Sequence, residues 1–494
     1  MQELIDYLKK IGIKNYINNL RKSGTSLNLE SLGVKVDGVK LIGKLLKTNP
    51  ILTELNLWGN MIGAEGVELI TDALKTNTAL INLNLGINNI GDKGVELLVK
   101  LMQINKTLSS LNLTANKIGI DGVKLIGKLL KTNKTLIHLD LWSNRIGTEG
   151  IKLILDALKT NTTLTSLNLA DNEIGYKGVE LLIKLMQTNK TLTSLNLGGN
   201  KLSAEEIRLI AELLKTDTTL THLDLSINNI GNEKIKLIAD ALKTNTTLTS
   251  LNLVANHIGD EGIKVITDAL KLNTTLITLN LGNNYIGIDG VKLIAELLKT
   301  NKKLTNLDVE NNNIGDKGLR LIVEALKNNT TLAFLNISSN NITDKGLKSL
   351  VNFLKTNTTL TNLDLTSNNI SVEGIKLIID ALKLNTTLIH LKLRCNSLGN
   401  EGVKPIAEFL KTNTTLTHLD LAVNNIKDQG VKLITKALKT NETLTSLDLR
   451  MNNIGDKGIK LLTDVLKTNM VLTDLNIDDN YTEEEEKKII EKYQ

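Results

Sequence analysis

The chain has 494 residues with 59 basic and 53 acidic side chains, a formal charge of +6 and only 2% aromatic residues. So small a charge excess is not the footprint of a nucleic-acid binder, which concentrates basic charge on one face. The single cysteine, Cys395, excludes intrachain disulfides and fits a reducing compartment, and no stretch approaches the ~18 apolar residues of a membrane span.

The chain opens with MQELIDYLKKIGIKNYINNL, which has no uninterrupted apolar core and no small-residue cleavage site, so a conventional signal peptide is not expected. Leu4, Leu8, Ile11, Ile17 and Leu20 give residues 1–23 an apolar side, and this segment is read as a helical cap over the first repeat. Residues 24–51 form a degenerate first copy of a unit that becomes strict at Leu52 and returns every 28 residues without insertion or deletion. Fifteen units fill 52–471, and a truncated copy begins at Leu472. In the remainder of 472–494, Glu483 to Glu486, Lys487 and Lys488 predict a polar closing helix with Ile489 and Ile490 turned inward. One extended solenoid domain follows, because no linker or composition shift interrupts the period.

The unit reads L-x-x-L-N/D-L-x-x-N-x-I-G-x-x-G-V/I-K-L-I-x-x-L/A-L-K-T-N-T-T. Its beginning alternates, as in Leu139, Asp140 and Leu141, which predicts a strand with the leucines inward and Asp140 outward. Its second half, such as 150–159, places apolar residues at helical spacing with lysines between them. Asp92, Thr148, Asn232, Asp260, Asp316 and Asp344 precede this half and are expected to cap the first turn of the helix they introduce. Identical order makes the strands parallel. Helices pack ~8–10 Å apart and strands ~4.8 Å apart, so the expected fold is an α/β solenoid, a horseshoe with a concave parallel sheet inside and helices outside.

Several positions read as structural. Asparagine occupies the ninth position of all sixteen copies from Asn60 to Asn480, with Leu32 at that place in the degenerate one. An amide both donates and accepts, so a column of them can serve successive buried turns. Triplets such as 161–163 and 273–275 match glycosylation acceptors, but the expectation is that they end the repeat. Glycine holds the fifteenth position except at Glu206 and Lys234, which are expected to pair between adjacent helices for ~0–1 kcal/mol. Pro405 predicts a helix that begins late, within a turn of it.

The unit resembles the leucine-rich repeat, specifically the ribonuclease-inhibitor subtype also found in NOD-like receptors, over residues 24–480. That resemblance implies the horseshoe fold and a protein-binding role, and it names no partner. Ribonuclease inhibitor is cysteine-rich and carries Cys at many ninth positions. This chain has Asn throughout, so inhibition of ribonuclease is not implied.

Positions three, five and seven are expected to point out of the concave face, free of packing. Trp58 and Trp142, the only tryptophans, both take position seven and are hot-spot candidates, expected ~15 Å apart along the sheet. They also stand 84 residues apart, as do His138 and His222, so copying of three-unit blocks explains part of the pattern. His138, His222, His390 and His418 take position three, and Lys392, Arg394, Asp420, Asp448 and Arg450 stand beside the last two. Lys392 is expected to relieve repulsion between Asp364 and Asp420. A metal site from His390, His418 and Asp420 lacks a clear further ligand; Cys395 lacks the base of a nucleophile. No phosphate loop, zinc spacing, serine elbow or kinase signature is present.

The expected function is therefore a non-catalytic, cofactor-free, monomeric scaffold holding a protein partner on its concave face, with no nucleic acid, membrane or metal involved. Heavy use of Lys, Asn and Ile suggests an AT-rich genome, and long repeats in that background resemble effectors that bacteria deliver into host cytoplasm. The alternative is a GTPase-activating protein resembling the Ran activator, which the uniform repeat length and missing acidic tail disfavour. A third reading is the ligand-reading part of an innate sensor.

Overall fold

A computed structural model describes residues 2–10 and 24–480. Ile11, Ile17 and Leu20 of the expected N-terminal cap, and the closing helix expected over 483–490, lie outside them. The chain divides into two compact units, Met1–Asn256 with Asn273–Thr275, and His257–Leu272 with Leu276–Gln494.

Each unit repeats one motif. In the copy starting at Leu52, a strand spans Glu54–Asn56 and a helix Gly63–Leu74. Leu52, Leu55 and Leu57 are buried, and the helix adds Val67, Ile70, Ala73 and Leu74 at its inner spacing. Burying one such aliphatic side chain is worth ~1.5–3 kcal/mol, so the stacked leucines supply most of the cohesion. Within each unit neighbouring strands pair parallel with a register of one repeat, for example Leu55 with Leu83 and Leu391 with Leu419. Successive helices pack side by side. The described helix Gln2–Lys10 buries Leu4, Ile5 and Leu8 and packs against the helix Val36–Thr48, joined by Lys44 and Glu3 at 3.1 Å.

The ninth-position asparagines do what their column predicts. Asn172 donates through Nδ2 to the carbonyls of Leu141 and Ala170, both at 2.9 Å, and its Oδ1 accepts from the backbone of Asn144 at 3.0 Å and Ile146 at 3.2 Å. A second column, at position 26, works at the other end of the helix. Asn161 Nδ2 donates to Leu130 O at 2.8 Å, and Oδ1 accepts from the amides of Thr163 at 3.0 Å and Leu164 at 2.8 Å. Asn161 and Asn273 are thus buried structural groups of this column rather than free glycosylation acceptors. In one copy the column holds Asp217, whose Oδ1 is buried without a hydrogen-bond partner.

Four of the expected N-caps, all aspartates, act on a different helix, whereas Thr148 lies inside its own helix and donates through Oγ1 to Ile174 O at 3.0 Å. Asp92 and Asp316 lie inside their own helices, and each instead reaches the start of the helix one repeat later. Asp92 accepts from Gly119 N at 2.7 Å, Asp260 from Gly287 N at 2.7 Å, Asp316 from Thr343 N at 2.8 Å and Asp344 from Ser371 N at 3.0 Å. The parallel stack puts each helix start beside its neighbour, so the free N–H groups face the preceding repeat. The entry conformation follows. Where an Asp or Asn offers this bond, residue twelve of the next copy is extended, as at Gly287 and Gly455. Where the preceding residue is Ala64, Ile120, Ala204, Ile288 or Val372, Gly91, Gly147, Gly231, Gly315 or Gly399 turns to φ near +60° and starts the helix one residue earlier. Ser203, preceded by Tyr176, closes a capping box with Glu206 instead.

This geometry also explains the fifteenth-position glycine. A Cβ on Gly122 or Gly290 would stand 2.5 Å from the capping Oδ1 of Asp92 or Asp260. Glu206 and Lys234 do not form the expected ion pair: Glu206 bonds its own Ser203 N at 2.7 Å, and Lys234 Nζ donates to Leu202 O at 3.0 Å. Burial lowers the Lys234 pKa, opposed by the charge of Glu206. Pro405 does not delay its helix, which begins at Gly399. Its missing N–H falls at a partly exposed position, so solvent reaches the carbonyl it leaves open.

Candidate functional site

Position five is the hinge between frame and surface. Its Asp or Asn accepts the N–H of position seven: Asp140 from Trp142 at 2.9 Å, Asp420 from Ala422 at 2.9 Å and Asp448 from Arg450 at 2.9 Å. This bond fixes the strand end and aims residue seven off the sheet face. Part of the Asp signal at this position is therefore structural. Lys392 cannot make the bond.

In the second unit these positions build an open groove of about 570 Å³, lined among others by Glu310, Asp364, Lys392, Arg394, Asp448 and Arg450. His390 and His418, on neighbouring strands, stack with ring centroids 3.9 Å apart and 12° between planes. Burial, then His418 and Lys392, hold the His390 pKa below the ordinary histidine value, so its ring favours the neutral form. His418 Nδ1 lies 2.7 Å from Thr417 Oγ1. Lys392 pairs with the buried Asp364 at 3.1 Å. The expected relief of repulsion is thus a bond to Asp364 alone, since no ion pair joins Lys392 to Asp420.

Arg450 clamps Asp448 through Nε and Nη2, at 2.9 and 2.6 Å to Oδ2, and that bond raises its pKa. Arg394 is half-buried, and its guanidinium makes no ion pair or hydrogen bond. Burial, then Asp448, push the Asp420 carboxyl up. Burial, then Asp308 and Asp364, do the same for Glu310. The groove thus holds two carboxylates whose charge is disfavoured, Glu310 and Asp420, and a guanidinium, Arg394, that acts on Asp420 only at longer range.

The first unit carries a different feature. Trp58 and Trp142 stand three strands apart, yet their ring centroids are only 6.5 Å from each other, tilted by 36°. The ~15 Å expected from backbone spacing does not apply to the rings, which lean together across the intervening strands. Gly86 makes this possible, because a Cβ there would run into Cε3 and Cζ3 of Trp58.

His390, Lys392, Arg394, His418, Asp420, Asp448 and Arg450, grouped in the sequence by their repeat positions, all line the groove of the second unit. Glu310, not singled out from the sequence, also stands at position seven and lines it. His138 and His222 are exposed singly in the first unit, where His222 Nδ1 lies 2.8 Å from Thr221 Oγ1. Cys395 is exposed and does not line the groove. Among the described residues, no three His, Cys, Asp or Glu side chains converge as metal ligands, and no helix is long and apolar enough to cross a membrane.

No curated protein matches the chain. Leiomodin-1 Actin-Binding Site 2 (ABS2) is a solved structure similar over 42% of this chain and 96% of its own, at 23% identity and a TM-score of 0.26. The family described as TMOD/LMOD Leucine-rich domain matches residues 312–419. The family described as Leucine Rich repeat matches twelve segments, from 48–70 through 440–462, which together span more than half of the sequence. The chain belongs to the leucine-rich repeat family.

Proposed function

We propose that this chain is a non-catalytic scaffold of the ribonuclease-inhibitor repeat subtype that holds a protein partner on the open face of its sheet. The observation that carries the reading is Arg394: a half-buried guanidinium in the groove with no ion pair or hydrogen bond, its charge felt only at longer range by Asp420. Water still reaches a half-buried guanidinium, and a carboxylate from a bound protein would replace that water with a bidentate bond. The 28-residue period supports the subtype, and the surrounding frame is committed to backbone bonds in both columns of asparagines. Affinity capture by wild type and by the Arg394→Ala, His390→Ala, His418→Ala triple variant tests the groove. A partner retained equally by both removes the groove from the binding surface.

The effector role rests on composition alone. Finding the protein in host cytosol during infection supports it, and strict retention in the producing cell defeats it. The alternative, stimulation of a GTPase, draws on the same residue, since an unpaired arginine can stabilise charge on a transferring phosphoryl group. A panel of small GTPases whose hydrolysis rates are unchanged by the protein disposes of it.

A further inference from the structure

In the first unit, positions three, five and seven of the nine copies from Ser26 to Val254 hold four carboxylates, Glu30, Glu54, Asp140 and Asp224, and no lysine or arginine. This is a one-signed face on a chain whose formal charge is +6. The only two tryptophans of the chain stand in its middle, 6.5 Å apart. Trp142 is exposed and Trp58 half-buried over Gly86.

Glu30 takes position seven in the repeat next to that of Trp58, and Glu54 takes position three in Trp58's own repeat. Both carboxylates are exposed. Each touches only a neutral amide: Asn56 Nδ2 donates to Glu30 at 3.1 Å, and Asn82 Nδ2 to Glu54 at 3.1 Å. Neither forms an ion pair. Lys117, Arg145 and Lys201 of this unit stand at position ten, beyond the buried ladder asparagine.

We infer that the tryptophan pair is a seat for a cationic side chain, and that the partner segment lying on this face is rich in arginine or lysine. Tryptophan has the most attractive aromatic face for a cation, and guanidinium stacks on it best. Flanking carboxylates supply the counter-charge and raise the association rate. The two rings already lie together, with Trp58 in the space that Gly86 leaves open, so little ordering is required at the moment of contact. This inference rests on the protein-binding reading and gives it a chemistry. It also distinguishes this face from the groove of the second unit, where Lys392, Arg394 and Arg450 already accompany the carboxylates.

Because Trp58 and Trp142 are the only tryptophans, the intrinsic tryptophan fluorescence of the full chain reports this site alone. The full-length protein is titrated with a (Gly-Arg)4 peptide, a (Gly-Glu)4 peptide and a neutral glucan hexasaccharide. The expected result is a saturable change with the arginine peptide only. Its apparent affinity should fall at least fivefold in Glu30→Gln, Glu54→Gln, and its amplitude should vanish when Gly86→Val displaces the Trp58 ring. Circular dichroism and the melting midpoint confirm that both variants are folded. Equal responses to the basic and acidic peptides, or an affinity unchanged by removing the two carboxylates, overturn the inference. A response to the glucan alone also overturns it and assigns a carbohydrate platform. If a natural partner is captured through this face while the arginine peptide gives no response, the scaffold reading stands and the cationic assignment falls. If no partner depends on any sheet-face residue, the scaffold reading itself falls.

Discussion

In the first unit the sheet face carries two tryptophans and four carboxylates with no lysine or arginine. In the second, the same three positions carry Lys392, Arg394 and Arg450 among seven carboxylates, a stacked histidine pair and no tryptophan. Beneath both faces the asparagine columns and buried leucines are the same. The contrast teaches that this repeat separates its duties by position. Residues that hold the backbone are fixed in type by the bonds they make, and residues on the open face are free to differ without altering the frame.

The largest expected effect tests that shared frame. Asn172→Ala in the first unit and Asn424→Ala in the second each delete an amide that bridges two repeats, with Asn424 Nδ2 at 2.9 Å from Leu393 O and its Oδ1 accepting from Asn396 N at 2.9 Å. Leaving several buried backbone groups unpaired should cost about 3–5 kcal/mol in either unit, read by urea denaturation. A cost confined to one unit breaks the equivalence of the two frames.

A smaller effect of opposite sign is expected at Asp217, the one acid in the position-26 column. Asp217→Asn restores the donor that every other copy has and should stabilise the first unit by about 1–2 kcal/mol. No gain in melting temperature would mean that water or a shifted neighbour already serves its Oδ1. Ile227→Asn should add about 1 kcal/mol for a separate reason: Ile227 holds φ +56° with an exposed side chain, a conformation that costs a β-branched residue and suits asparagine.

The subtlest difference is electrostatic and belongs to the second unit. The folded pKa of His390 is depressed, so its contribution to stability is present above the ordinary histidine value of ~6.5 and is lost as pH falls through the folded value. Asp308, Glu310, Asp420 and Asp478 are raised by burial. Their contribution is present at low pH and lost as pH rises through their folded values, so the two effects oppose each other in acid. Proton NMR should find His390 titrating below ~6.5, and the shift should shrink in Lys392→Gln, since Lys392 contributes to it. An ordinary titration would mean that the stacked pair is solvated.

Much of this was legible in the chain. The 28-residue spacing carries strand, turn and helix because the alternation around Leu139 and Leu141 and the helical spacing after Gly150 are local patterns. The ninth-position column was legible because invariance at a polar, turn-forming residue has one economical explanation. What failed involves contacts between copies. Asp316 looks like a cap for its own helix, yet its carboxylate serves Thr343, 27 residues later. Trp58 and Trp142 are separated by backbone spacing but joined by side-chain lean over Gly86. Glu310 followed the same outward rule as Arg394, but no unusual neighbour marked it in the sequence. The position-26 asparagines, broken only by Asp217, were nearly as regular as the ninth, and were read only as the end of a repeat.

The most direct test of the central claim is affinity capture from eukaryotic lysate by three forms of the full chain: wild type, Trp58→Ala with Trp142→Ala, and the His390, Arg394, His418 triple alanine variant. The account predicts a protein held by wild type and lost from at least one face variant, with all three forms equally stable. Capture of the same proteins by all three would show that binding, if any, uses another surface, and would contradict it.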